Sequence, residues 1–70
     1  MNRYRLLRYE RGLTRSEVAG GSGVPERTIR DLEHPERERP PSAPIAKALA
    51  DFYGMSVAEL LGVDPAPEAA

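Results

Sequence analysis

The chain has 70 residues and no cysteine, so it can form one small domain that neither a disulfide nor a cysteine metal site stabilises. No run approaches the roughly 18 consecutive apolar residues that a membrane span needs. The arginine-rich N-terminus lacks the apolar centre of a signal peptide. We therefore expect a soluble, cytoplasmic protein with no membrane contact, held together by the apolar faces of its helices.

The formal net charge is −1, which argues against a nucleic-acid partner because DNA-binding domains are usually basic. The charge is unevenly distributed. Residues 1–39 contain nine arginines and seven acidic residues, a balance of +2, whereas residues 40–70 contain one lysine and four acidic residues, a balance of −3. An anionic partner would therefore bind the first half. Arginine suits phosphate and guanine, although a GC-rich coding sequence would also enrich it.

Glycine, proline and capping residues divide the chain into five short helical segments, and no alternating apolar run is long enough for a strand. The predicted class is all-α. In the first segment Tyr4 and Leu7 share one face, and Gly12 ends the helix. Thr14 and Glu17 are spaced as a capping box, which begins the second segment.

Two glycines interrupt the second segment. Val18 and Ala19 are expected to face inward, but Gly20 and Gly21 follow directly. Each glycine costs about 1 kcal/mol relative to alanine inside a helix. The sequence therefore predicts a second helix that frays or ends at this point.

The third segment is predicted to run from Pro25 to Glu33, after a glycine turn, because proline suits the first position of a helix. Ile29 and Leu32 lie on its inward side. Pro35 prevents the helix from continuing, since the residue before a proline is pushed away from helical backbone angles.

The last two segments follow a charged, proline-rich loop at 36–41. Ser42 begins the fourth segment and Gly54 ends it. Its inward side contains Ile45, Ala46, Leu49, Phe52 and Tyr53. Ser56 and Glu59 form a capping box for a short fifth segment. Residues 64–70 are rich in proline and alanine and are predicted to be a disordered tail, which leaves 1–63 as the domain.

Four stretches carry a resemblance: LRYERGLTRSEVA at 7–19, GVPERTIRDLE at 23–33, RPPS at 39–42 and GMSVAELL at 54–61. From about Tyr4 to Leu61 the chain resembles the Cro and lambda-repressor-like (XRE-type) helix-turn-helix family. The resemblance implies a compact five-helix domain that binds double-stranded DNA sequence-specifically as a small transcriptional regulator, such as a phage immunity repressor. The chain departs from the family in three places, one of which is a loop after the third helix that is a residue or two longer than typical. Residues 20–22 replace a charged pair and a leucine, and Arg15 stands where glutamine is frequent.

The resemblance places the third helix in the major groove, where every base pair presents a distinct hydrogen-bonding pattern. At about 100° per residue, the side chains that point away from the core are Arg27, Arg30, Asp31 and His34, with Glu26 at the border. The candidate base contacts are Arg27 to guanine O6 and N7, Glu26 to cytosine N4, Thr28 to a methyl group or a phosphate, and Arg30 or Asp31 as secondary contacts. Without the resemblance, these residues would be interpreted as a solvated helix face.

The candidate phosphate contacts are Thr14 and Arg15 at the start of the second helix, where free backbone N–H groups favour anions, and Arg37 and Arg39 in the loop. Thr14 is also explained as a helix cap. The loop arginines are equally explained by neutralisation of the neighbouring glutamates. The resemblance further implies a structural ion pair between Arg8 and Glu33 that ties the first helix to the end of the third.

Catalysis is not expected. One histidine, no cysteine and no paired-carboxylate or phosphate-loop motif leave nothing to build a nucleophile or a metal site, so we expect no enzyme activity, metal, cofactor or small-molecule substrate. His34 is interpreted as an exposed helix-end residue, with a phosphate contact as the alternative.

Two alternatives concern protein partners. The domain could instead be a protein-interaction module such as an antitoxin, which the acidic second half and an exposed Leu6 favour. A homodimer on DNA is the other open point. Four apolar residues near the C-terminus form either a pairing patch or part of the core, and the core is favoured: Val57, Leu60, Leu61 and Val63.

Overall fold

In the computed structural model, the described residues are 2–36 and 40–62. They form five helices and no strand, in the order α1 (Arg3–Glu10), α2 (Arg15–Ser22), α3 (Glu26–Leu32), α4 (Ala43–Tyr53) and α5 (Val57–Leu61). The predicted all-α, five-helix class is confirmed. Arg37, Arg39, Val63 and the predicted tail at 64–70 lie outside the described residues.

Side chains cap three of the helices at their N-termini. Thr14 and Ser56 each form the predicted capping box, in which the hydroxyl accepts from the backbone N–H three residues later at 3.0 Å and the glutamate there accepts from the backbone N–H of the cap. Asn2 caps α1 by accepting from two N–H groups of its first turn, which was not predicted. Gly54, with φ +73°, ends α4 as expected.

The prediction that α2 frays or ends at Gly20 and Gly21 is wrong, because the helix continues to Ser22 and is capped by Gly23 with φ +80°. The reason lies in α4, which approaches α2 at Gly21. A Cβ at this position would lie 2.9 Å from Cδ1 of Phe52 and closer still to Cε1. The Phe52 ring therefore fills the space of a larger side chain, and its packing offsets the low helix propensity of the two glycines.

Alanine substitutions at these two neighbouring glycines are expected to change stability in opposite directions. A Cβ at Gly20 meets nothing within 4 Å, so Gly20→Ala is expected to raise the free energy of unfolding by about 0.5 to 1 kcal/mol. Gly21→Ala forces the Phe52 ring to move and is expected to lower it by about 1 to 3 kcal/mol. Urea unfolding of both variants measures the difference. Equal effects of the two substitutions would contradict the packing argument.

The predicted third helix, Pro25 to Glu33, is one residue too long at each end. Pro25 has ψ 142°, an extended value, and is the N-cap, so α3 begins at Glu26. Glu33 is the C-cap. Ile29 and Leu32 are buried as predicted, and the orientation of the helix about its axis is therefore the expected one.

The core is built from buried apolar side chains of α2 to α5 and of the turn before α3. They are Val18, Val24, Ile29, Leu32, Ala46, Leu49, Ala50 and Leu60. Leu60 is fully buried whereas Val57 is exposed. Of the four residues considered for a pairing patch, Leu60 is thus part of the core.

Polar contacts anchor α1, whose Tyr4 and Leu7 are only partly buried against the core. The Arg3 guanidinium donates to the carbonyl oxygens of Leu60 and Glu59 at 2.8 and 2.9 Å, close to the end of α5. Next to Arg3 in the chain, Asn2 Nδ2 donates to the carbonyl of Leu32, the last residue of α3, at 2.7 Å. The first helix therefore joins the ends of α3 and α5.

Candidate nucleic-acid interface

Helices α2 and α3 pack against each other across a short turn. Val24, inside the turn, is buried, and its backbone N–H donates to Ser22 Oγ at 3.2 Å. The same hydroxyl donates to the carbonyl of Val18 at 2.7 Å. The Ser22 hydroxyl therefore joins the end of α2 to the turn, and α3 follows the turn with its outer side exposed to solvent.

The outer side of α3 carries four exposed charged residues, Glu26, Arg27, Arg30 and Asp31, and Thr28 is half-buried at its edge. The four charges sum to zero. Within residues 2–36 and 40–62, none of the four forms an ion pair. The five predicted base-contact residues thus lie on one helix, and its four charged side chains are available to an external partner.

Arg8 and Glu33 form a buried ion pair between α1 and the end of α3. Arg8 Nε donates to Glu33 Oε2 and Arg8 Nη2 to Oε1, both at 2.7 Å, while Arg8 Nη1 donates to the carbonyl of Leu13 at 3.1 Å. The two side chains are 8% and 2% exposed. The hydrogen bond to Glu33 raises the pKa of the Arg8 guanidinium above its ordinary value, so the cation persists.

Arg15 also contacts Glu33, a contact that sequence reasoning missed. Its Nε donates to Glu33 Oε1 at 3.2 Å, and the Arg15 side chain is 36% exposed. The neighbouring Thr14 hydroxyl is engaged as a cap, accepting from the backbone N–H of Glu17. No local pattern indicates the Arg15 contact, because the two residues lie 18 positions apart and meet only when α2 and α3 pack.

The remaining predicted site residues separate into two groups. His34 is exposed, and its Nδ1 accepts a hydrogen bond from the backbone N–H of Glu36. Arg37 and Arg39 lie outside the described residues, so their phosphate contacts stay predictions.

In the part of the chain that the structure describes, no group of histidine and acidic residues is arranged to hold a metal ion, and none of the helices is long and apolar enough to cross a bilayer.

Comparison with known proteins shows to which family this arrangement of helices belongs. A family model described as a helix-turn-helix domain matches residues 3–62. The chain belongs to the helix-turn-helix family. This match confirms the resemblance to its Cro and lambda-repressor-like (XRE-type) members. In helix-turn-helix proteins the second helix of the pair enters the major groove of DNA, and here that helix is α3.

A curated relative is the cryptic phage CTXphi transcriptional repressor RstR of Vibrio cholerae, which is 38% identical over 60 residues. The aligned region covers 86% of this chain and 52% of the repressor. The chain therefore spans about half the length of the curated relative that it matches. No solved structure matches the chain.

Proposed function

We propose that this protein is a small transcriptional repressor that binds a specific double-stranded DNA sequence by placing α3 in the major groove. The observation that carries the proposal is the outer side of α3. Its four charged residues are exposed and form no ion pair within the described residues, while Ile29 and Leu32 attach the helix to the core. An α-helix fits the major groove, and its side chains can then reach the base edges. The family match and the repressor relative support the same function.

Each candidate base contact is assigned from the hydrogen-bond donors, acceptors or methyl group of its side chain. Arg27 is the candidate for a bidentate contact to guanine O6 and N7, and Glu26 is the candidate acceptor from cytosine N4. Thr28 is the candidate for contact with a methyl group or a phosphate, with Arg30 or Asp31 as secondary contacts. Because the charges of these four residues sum to zero, α3 adds little general attraction to DNA, and its contribution to binding is expected from contacts to the bases.

Phosphate contacts are proposed to position the domain. Thr14 and Arg15 stand at the start of α2, and Arg37 and Arg39 follow α3 in the chain. If the three arginines each neutralise one phosphate, log K is expected to fall with log salt with a slope of about −2.7, which is a loss of about 40-fold between 50 and 200 mM salt. Fluorescence anisotropy titrations with labelled DNA measure the slope. Affinity that does not change with salt would contradict phosphate contacts by these arginines.

Selection of bound sites from random double-stranded DNA tests the proposed function directly. We expect the selected sequences to share a preferred site of a few base pairs that contains guanine.

The proposal includes action in the cytoplasm without a cofactor, small-molecule substrate or catalytic activity. It also includes binding as a homodimer to paired half-sites about 34 Å apart. Sedimentation with and without the selected DNA measures the stoichiometry, and one chain per duplex would contradict the paired-site part.

A protein-interaction role, such as that of an antitoxin, is the second candidate, and the surface of α1 favours it. Leu6 and Tyr9 lie three residues apart on this helix and are 45% and 48% exposed. Arg5 stacks over the Tyr9 ring at 5.3 Å and donates to its hydroxyl, which lowers the pKa of Tyr9. Absence of affinity for any DNA at 50 mM salt, together with co-purification of a partner protein, would favour this role over DNA binding.

A further inference from the structure

One carboxylate, that of Glu33, accepts hydrogen bonds from two arginines in different parts of the fold. Its Oε1 accepts from Arg8 Nη2 at 2.7 Å and from Arg15 Nε at 3.2 Å, and its Oε2 accepts from Arg8 Nε at 2.7 Å. Arg8 belongs to α1 and Arg15 to the first turn of α2, whereas Glu33 caps the end of α3. The two helices of the helix-turn-helix unit are therefore joined through this carboxylate.

The charges of this cluster do not cancel. Two guanidinium groups share one carboxylate, which leaves one positive charge in excess. All three nitrogens of the Arg8 guanidinium have partners inside the protein, namely Glu33 and the carbonyl of Leu13. Arg15 uses only its Nε–H, so its four Nη hydrogens have no hydrogen-bond partner among the described residues. The excess charge is consequently presented to solvent by Arg15.

We propose that Glu33 is a positioning residue for DNA binding, which holds Arg15 by its Nε–H so that the two Nη groups form a fork toward a backbone phosphate. The inference rests on the proposed function and deepens it. A long arginine side chain must normally be ordered when it binds, and a hydrogen bond that exists in the free protein removes part of that cost. A planar fork also matches two phosphate oxygens, which a lysine ammonium does not.

Two substitutions of Arg15 separate the fork from the charge. Arg15→Lys keeps the charge but loses the fork, and it is expected to weaken binding about tenfold to selected and random DNA alike with an unchanged salt slope. Arg15→Gln removes the charge as well, and the slope of log K against log salt is expected to become less steep by about 0.9. Lys47→Gln, on the exposed side of α4, is the matched control that removes one cation elsewhere, and it is expected to bind as wild type does. Circular dichroism verifies that each variant is folded.

The contact with Glu33 is measured in the wild-type protein, because replacement of Glu33 leaves the buried Arg8 cation without its partner and is expected to destabilise the whole domain strongly. The Arg15 Nε–H signal in a ¹H–¹⁵N spectrum of the free protein, assigned by its loss in Arg15→Lys, is expected to exchange with water more slowly than that of the exposed Arg27. Exchange of Arg15 as fast as that of Arg27, or Arg15→Lys binding with wild-type affinity, would overturn the inference while the proposed function stands. Failure of the wild-type protein to bind any DNA would overturn both.

Discussion

Arg8→Ala is expected to remove a large part of the free energy of unfolding of the domain. The substitution leaves the Glu33 carboxylate, 2% exposed, with only the partly exposed Arg15 as a partner, and it removes the hydrogen bond to the carbonyl of Leu13. Removal of one partner of a buried ion pair costs about 3 to 5 kcal/mol. A domain of 70 residues has a total stability of about 3.5 to 10 kcal/mol. Urea unfolding followed by circular dichroism measures the loss.

The exposed pair between Lys47 and Asp51 provides the control for Arg8→Ala. Their atoms are 3.1 Å apart, but the side chains are 71% and 67% exposed, so Lys47→Ala is expected to change stability by less than about 1 kcal/mol. Arg8→Ala is also expected to reduce DNA binding in proportion to the unfolded fraction. If Arg8→Ala unfolds at the same urea midpoint as the wild-type protein but binds DNA weakly, Arg8 acts on DNA directly, and its structural role is contradicted.

Arg27→Ala is expected to weaken binding to the selected DNA site by about 1 to 3 kcal/mol, which is roughly 5- to 150-fold. Arg27 is exposed on the outer side of α3 and forms no ion pair within residues 2–36 and 40–62, so its removal is expected to leave stability unchanged. Because a bidentate contact reads one guanine, the variant should accept other bases at that one position. Binding to all single-base variants of the site, compared between wild type and Arg27→Ala, measures this.

Arg30→Ala is the matched comparison for Arg27→Ala, since it removes the same charge from the same side of α3. As a secondary contact, it is expected to cost less affinity and to leave the preference at the Arg27 position intact. Equal loss on every sequence in Arg27→Ala, with a salt slope reduced by about 0.9, would instead make Arg27 a phosphate contact. Loss of folding in Arg27→Ala would contradict the exposed position.

Sequence reasoning succeeded where a few neighbouring residues determine the structure. The capping boxes at Thr14 and Ser56 each involve groups three residues apart, and their hydrogen bonds lie within the first helical turn. The burial of Ile29 and Leu32 follows from their spacing along one helix. The outward position of Arg27 follows from the same spacing. The candidate base-reading side of α3 was therefore predictable.

Prediction from the sequence failed where a contact with a distant segment of the chain determines the local structure. The glycines at 20 and 21 predict a weak helix end by propensity, but Phe52 of α4 packs onto Gly21 and α2 continues. The Arg15 contact with Glu33 likewise joins residues that only the packing of α2 against α3 brings together. Propensity scales describe isolated helices and carry no information about such contacts.

By itself, the sequence determined the number and order of the helices, the starts of α2, α4 and α5, the end of α4 and the side of α3 that faces outward, because each depends on local hydrogen bonds, on glycine or on helical periodicity. Only the tertiary structure decided that α2 continues through its glycines and that one carboxylate holds Arg8 and Arg15 together. Both outcomes depend on contacts between side chains that lie far apart in the chain, and neither helix propensity nor the spacing of residues along one helix describes such contacts.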